Sequence, residues 1–330
     1  GTGRVGRTPM SDWVFPQELQ PRPEELPFDL HEVLRSVVAL RAQVPEDAFT
    51  ASVLGTDRTG NAVLIRQDGL LLTIGYLITE AESIWLTGID GTVVPGHPLA
   101  FDYATGFGLV LPLGQLPLPA LARGSASTVG TGSRVIAISH GGMGHALDTR
   151  VIAKREFAGY WEYVLDEALF TAPAHPHWSG AALIDDSGKL LGIGSLLVQE
   201  QQAKEKIEAN MFVPIDLLEP ILDEMSTTGR PTHAPRPWLG MYTMEMQGHL
   251  VVSGLAEQGP AARAGVRPGD LILQVAGEPV SGLAHLFRSI WRLGPVGTDV
   301  PLTLARGGAQ PEVRVRSADR NDFLRKPLRH

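Results

Sequence analysis

From Phe49 to about Leu218 the chain never holds one apolar period for long. Short apolar runs recur instead, each cut by Gly, Asp or Pro: AVLIRQDGLLLTIGYLI, SIWLTGIDGTVVPG, FGLVLPL, SRVIAIS and AALIDDSGKLLGIGSLL. Several are separated by Asp-Gly or Ser-Gly, dipeptides that close hairpins because Gly enters the φ > 0 region without a Cβ clash. The region therefore reads as an all-β barrel or sandwich. Composition agrees: 37 Gly and 25 Pro beside 6% aromatic residues suit a turn-rich β protein, and 43% hydrophobic residues supply sizeable cores. A length of 330 residues suggests two domains.

The flanks differ. Residues 1–47 read as an N-terminal arm and helix. SDWVFPQELQPRPEELPFD (11–29) is Pro-rich and acidic, an extended arm with Trp13 and Phe15 exposed, and 30–43 carries a helical period in Leu30, Val33, Leu34, Val37 and Val38. The β domain spans 48–225 and closes on a helix over 213–225; the charged stretch 199–210 within it reads as a solvated loop or short helix. Residues 226–237 are a linker by composition, 238–317 a smaller unit with its own strands and one helix, and 318–330 a polar, frayed tail.

Several functions are disfavoured at this level. A net charge of -8 with no long basic run argues against nucleic acid as a partner. The chain has no cysteine, so disulfides, thiol catalysis and thiolate metal sites are excluded. No apolar run approaches the length of a membrane span. His175-x-His177 offers two metal ligands without a placed third, so no metal or cofactor is expected. Met10 as a native start would make the chain cytoplasmic; a trimmed mature chain is the alternative.

Four blocks now matter in order: AVLIRQDGLLLTIGYLI, DYATGFGLVL, HPHWSGAALIDDSGKLLGI and MFVPIDLLEPIL. They resemble successive blocks of the HtrA (DegP-like) serine proteases, a branch of the chymotrypsin-like fold. WLGM, GPAARAGVRPGDLILQVAGEPV and LTLARGG resemble the PDZ domain that follows the protease in that family, so the likeness covers roughly 50–317. The resemblance implies a mainly β chain: a chymotrypsin-like double β-barrel followed by a C-terminal PDZ domain. It also implies a bacterial protein of protein quality control, usually periplasmic. A homotrimer is implied too, with aromatic residues near the N-terminus in its contact, here Trp13 and Phe15.

The reacting positions depart from that family. Its first block ends Thr-Asn-Asn-His-Val-Val, and here Tyr76 stands where the general base should be. Its second reads Asp-x-x-Thr-Asp-Leu-Ala, and here Gly106 replaces the orienting carboxylate. Its third reads Asn-Pro-Gly-Asn-Ser-Gly-Gly, and here Ser179 is kept while His177 replaces the oxyanion-hole glycine. A serine hydroxyl is a poor nucleophile until a positioned base takes its proton. A phenol with a pKa near ~10 stays protonated at neutral pH and cannot be that base. In well-studied triads loss of the base costs roughly 10⁶ in rate. His175, His177, His140, His145 and the more distant His97 are the candidate substitutes, and loop polarity explains them as well. Asp102 matches the block's turn aspartate and reads as structural. The expectation is an HtrA-like pseudoprotease; the alternative is an active serine endopeptidase using Ser179 with a non-standard base.

For the second unit the resemblance implies capture of polypeptides or protein C-termini. Successive amides at Leu239, Gly240 and Met241 would cradle a terminal carboxylate, and the strand MYTMEM (241–246) would offer an open edge for the peptide. Met244 would adapt to apolar side chains, and Leu286 and Ile290 of the amphipathic stretch 282–293 would wall the groove.

Overall fold

The computed structural model describes residues 13–231 and 233–326, so Met10 lies outside the described residues. One helical turn, α1 (Leu30–Leu34), is capped by the Asp29 side chain, which accepts from Glu32 N at 3.3 Å. The first barrel then closes in the order β1-β2-β3-β6-β5-β4. Its strands are β1 (Val37–Gln43), β2 (Asp57–Leu64), β3 (Leu71–Ile74), β4 (Ser83–Thr87), β5 (Val93–Phe101) and β6 (Phe107–Pro112), and α2 (Ala51–Leu54) sits between β1 and β2. The helix expected over 30–43 is thus one turn followed by a strand, and the barrel begins before residue 48. Val37 and Val38 are β-branched, and from Leu40 burial alternates, with Leu40 and Ala42 inside and Arg41 and Gln43 outside. Pairing with both β2 and β4 supplies hydrogen bonds that a local helix does not offer.

The second barrel closes as β10-β11-β12-β9-β8-β7. It contains β7 (Arg134–Ile138), β8 (Ala146–Gly159), β9 (Tyr163–Ala172), β10 (Ala182–Ile184), β11 (Leu190–Gln202) and β12 (Glu205–Pro214). The charged stretch 199–210 is therefore neither loop nor helix. It is the outer half of the β11–β12 hairpin, paired out to Gln202↔Glu205. On β11 the less exposed face there carries Glu200, paired with Arg155, rather than an apolar side chain, so the apolar alternation that marks a half-buried strand does not appear in the sequence. The closing helix starts later than expected: α3 runs Glu219–Thr228, because 213–214 still belong to β12.

The C-terminal unit is a sheet ordered β13-β14-β15-β17-β18, with β16 paired to β15. The strands are β13 (Met241–Met246), β14 (His249–Leu255), β15 (Leu271–Val275), β16 (Glu278–Pro279), β17 (Asp299–Ala305) and β18 (Glu312–Arg316), with helices α4 (Pro260–Ala264) and α5 (Leu283–Trp291). Its core includes Leu239, Met241, Val252, Ile272, Phe287 and Leu302, and also Val164, which comes from β9 of the second barrel.

Two further expectations change. Among the described residues, up to 326, the tail is not frayed: Trp238 and Ala318 exchange two backbone hydrogen bonds of 2.9 Å. Phe323 packs on Trp238 and Phe49, and Arg325 N donates to Glu80 of the first barrel at 3.0 Å. The arm is not extended with free aromatics either. Phe15 is buried in the second-barrel core cluster, Trp13 packs against that cluster, and Phe15 N donates to Gly144 O at 2.8 Å. Apolar rings next to an uncovered barrel face bury area rather than project into water.

Candidate active site and peptide groove

Ser179 lies in the turn that precedes β10, facing the first barrel. Gly180 holds φ +74, and a Cβ there would run into the Asn61 carbonyl oxygen, so glycine at 180 is a packing requirement of this turn. Asn61 on β2 ties the turn down. Its N donates to Ser179 O at 2.9 Å, its Nδ2 donates to the carbonyls of His177 and Ser179 at 3.1 Å each, and its Oδ1 accepts from His140 N at 2.8 Å.

Tyr76, in the turn after β3, comes to the Ser179 hydroxyl. The two oxygens are 2.7 Å apart, and Tyr76 Oη also lies 2.7 Å from Ser195 O. A phenol carries one proton, and a carbonyl can only accept. Tyr76 therefore donates to Ser195 O, and Ser179 donates its own proton to Tyr76. Burial pushes the Tyr76 phenol up to about 12, opposed by its hydrogen bonds to the Ser179 turn. Among the described residues no imidazole or carboxylate hydrogen-bonds the Ser179 hydroxyl. Gly106 sits at φ +91, where a Cβ would lie 3.2 Å from Tyr163 Oη, so its loop has no room for an orienting side chain in a relaxed conformation.

The amide at the oxyanion-hole position is already used. His177 N donates to His175 Nδ1 at 3.0 Å, which leaves the His175 proton on Nε2, where it meets His145 O at 2.9 Å. Burial lowers the His175 imidazole to about 4, so this neutral tautomer persists. Trp13 stacks on His177 at 5.5 Å and Phe15 meets His175 edge-on at 4.8 Å. The arm thus holds both histidines in place. Asp102 accepts from Thr105 N at 3.0 Å and Thr105 Oγ1 at 2.6 Å, as its turn role implies, and also meets His233 Nε2 at 2.8 Å.

In the C-terminal unit the amides of Leu239, Gly240 and Met241 do converge, on the Glu162 carboxylate. Leu239 N donates to Oε1 at 2.8 Å, and Gly240 N and Met241 N donate to Oε2 at 3.0 and 3.4 Å. Burial pushes the Glu162 carboxyl up to about 7, against the pull of those amides and of Arg320. The edge of β13 is not open: Thr243 N donates to Tyr160 O at 3.1 Å. Leu286 and Ile290 wall nothing open, for both are fully buried in the cluster that takes in Val164; Met244 is exposed.

Residues 60–193 match the trypsin-like peptidase domain family, and residues 251–306 match the PDZ domain family. A probable periplasmic serine endoprotease, DegP-like, of Halomonas elongata is 26% identical over 273 residues, covering 79% of this chain and 56% of that protein. The chloroplastic Protease Do-like 1 of Arabidopsis thaliana is 28% identical over 300 residues, covering 82% and 66%. A trypsin-like peptidase domain followed by a PDZ domain, with DegP-like relatives, makes the chain HtrA/DegP-like.

The HtrA-like chain spans 56% to 66% of the length of these two relatives. Among solved structures, the HtrA-type protease AlgW with tripeptide aligns at TM-score 0.50 and 20% identity, covering 90% of this chain and 96% of that one. The serine endoprotease from Yersinia pestis aligns at 0.50 and 22%, covering 88% and 96%. At that identity the likeness concerns fold: two barrels and a PDZ domain. Within the HtrA-like fold, sequence reasoning places Tyr76, Ser179 and His177 in one neighbourhood. It misses Asn61, the ring packing of Trp13 and Phe15, and Glu162. The stretch GYWEYVLDE carries a turn-forming Gly and aromatics, but nothing in it separates Glu162 from the neighbouring acids.

Proposed function

We propose that this HtrA-like chain is a pseudoprotease that works as a polypeptide-binding scaffold through its PDZ domain. The single observation that supports the inactive barrel is the partner of the Ser179 hydroxyl. Its proton rests on a neutral phenol oxygen that has already given its own proton to Ser195 O. To act as a base Tyr76 must first ionise, and with a pKa of about 12 roughly one phenol in 10⁵ does so at neutral pH. The second loss is independent: His177 N is spent on His175, so a tetrahedral oxyanion meets one donor fewer than it needs. Labelling with a fluorophosphonate probe tests the reading. Wild type and Ser179→Ala should label alike, at background; labelling that Ser179→Ala abolishes would establish the active enzyme instead.

A fold kept without its chemistry has other work to do, and a groove for chain ends is the work this one supports. The ligand class is a polypeptide C-terminus with an apolar last residue, held on the order of micromolar Kd. We carry two further properties over from the family. The relatives named periplasmic favour an exported protein over the cytoplasmic one that Met10 as a start would imply. Homotrimerisation is the other, to be read by light scattering: a trimer is expected for the full chain, and a monomer would remove it from the proposal.

A further inference from the structure

The carboxylate cradle of the PDZ domain holds a ligand supplied by the chain itself. The tip of the β8–β9 hairpin, residues 160–162, enters between β13 and α5 in the pose of a peptide terminus. Glu162 puts its carboxylate on the amides of Leu239, Gly240 and Met241. Two residues back along the hairpin, Tyr160 O accepts from Thr243 N, two residues further along β13. The two segments therefore run antiparallel away from the cradle, the register of a terminus added as an extra strand. Arg288 on α5 pairs with Glu156 on β8 and with Asp166 on β9 at 2.7 Å, gripping both legs of the hairpin. Val164 fills space beside Leu286 and Ile290 in the domain core. Glu162 does this at φ +63, the left-handed position that ends the three-residue loop between Gly159 and Tyr163.

We propose that Glu162 is a tethered competitor: the PDZ groove is closed by the hairpin, and a polypeptide C-terminus binds only by displacing it. The inference rests on the scaffold reading and adds its regulation. A ligand on the same chain acts at an effective concentration in roughly the millimolar range when its geometry fits. A micromolar terminus then meets a groove that is open only a fraction of the time, and its apparent affinity falls by that fraction. The site so described selects partners that present a free carboxylate and a high local concentration, such as multivalent or clustered chain ends.

The test uses the full chain and a synthetic peptide ending in an apolar residue, with its amidated form as control. Two variants are compared with wild type. Glu162→Ala removes the competitor; Arg288→Ala loosens the hairpin from the surface, where ion pairs contribute little to folding. Amide exchange at 239–241 and Thr243 is read alongside peptide affinity. The expected result is faster exchange in Glu162→Ala and an affinity gain of about tenfold or more for the free-acid peptide alone. Arg288→Ala should give a smaller gain, about two- to threefold. Unchanged exchange in Glu162→Ala, or equal affinity in wild type and both variants, overturns the competitor while leaving a peptide-binding PDZ domain in place. Faster exchange with no peptide bound by any variant overturns the scaffold reading, and the gate with it.

Discussion

The Ser179 hydroxyl and the Tyr76 phenol form one hydrogen-bonded unit. Tyr76 replaces a histidine by a side chain that also hydrogen-bonds, and it satisfies both the Ser179 hydroxyl and the Ser195 carbonyl at 2.7 Å. Ser179 thus has a structural partner as well as a fixed place in its turn. Tyr76→Phe removes the acceptor of one bond and the donor of the other, and should destabilise the barrel by about 1–2 kcal/mol in denaturant unfolding. Fluorophosphonate labelling of that variant should stay at background, because phenylalanine brings no base. The departures at positions 76 and 106 were legible once the family resemblance had aligned the blocks, since a neutral phenol is no base and glycine has no side chain to orient one. What captures the His177 amide was not legible, because it depends on which way the His175 ring turns.

Elements show where local pattern misleads. β1 was hidden inside an apparent helical period, and the outer β11–β12 hairpin inside a charge run; in both, hydrogen bonds to distant strands decide. The linker shows the same thing electrostatically. His233 meets Asp102, and that hydrogen bond raises the His233 imidazole above its ordinary 6.5 although burial opposes it. Burial alone would lift the Asp102 carboxyl; hydrogen bonds from His233 and Thr105 outweigh it and hold it below 3.8. The His233 contribution is complete below 6.5 and is lost as pH rises through its raised pKa; the Asp102 contribution is complete above 3.8 and is lost as pH falls through its depressed one. The linker should therefore be held best between those two values. Amide exchange in 230–237, corrected for intrinsic rate, should be faster at about pH 8.5 than at about pH 6, and His233→Ala should abolish the difference.

At the scale of the molecule, the PDZ domain is bound to the barrels from two sides. The β8–β9 hairpin enters its groove, and the tail runs back from β18 through Ala318 and Phe323 to the first barrel. Ending the chain at Ser317 removes the second attachment. Limited proteolysis should then cut within 226–237 several times faster, as expected when an interdomain interface loses its clamp; an unchanged rate would mean that the hairpin alone holds the domain.

By itself the sequence determined the two-part β architecture and, through its resemblance to the HtrA family, the order of its blocks and which residues stand at the expected reacting positions. The architecture follows from turn chemistry and apolar patterning, both local properties; the block order and the reacting positions follow from the resemblance. The tertiary structure alone decided what occupies each vacated or waiting site: Tyr76 on Ser179, His175 on the His177 amide, Glu162 in the Leu239–Met241 cradle. Tyr76 lies 103 residues from Ser179 and Glu162 lies 77 from Leu239. At such separations no periodicity links the partners. Only closure of the barrels and docking of the last sheet bring them within hydrogen-bonding distance.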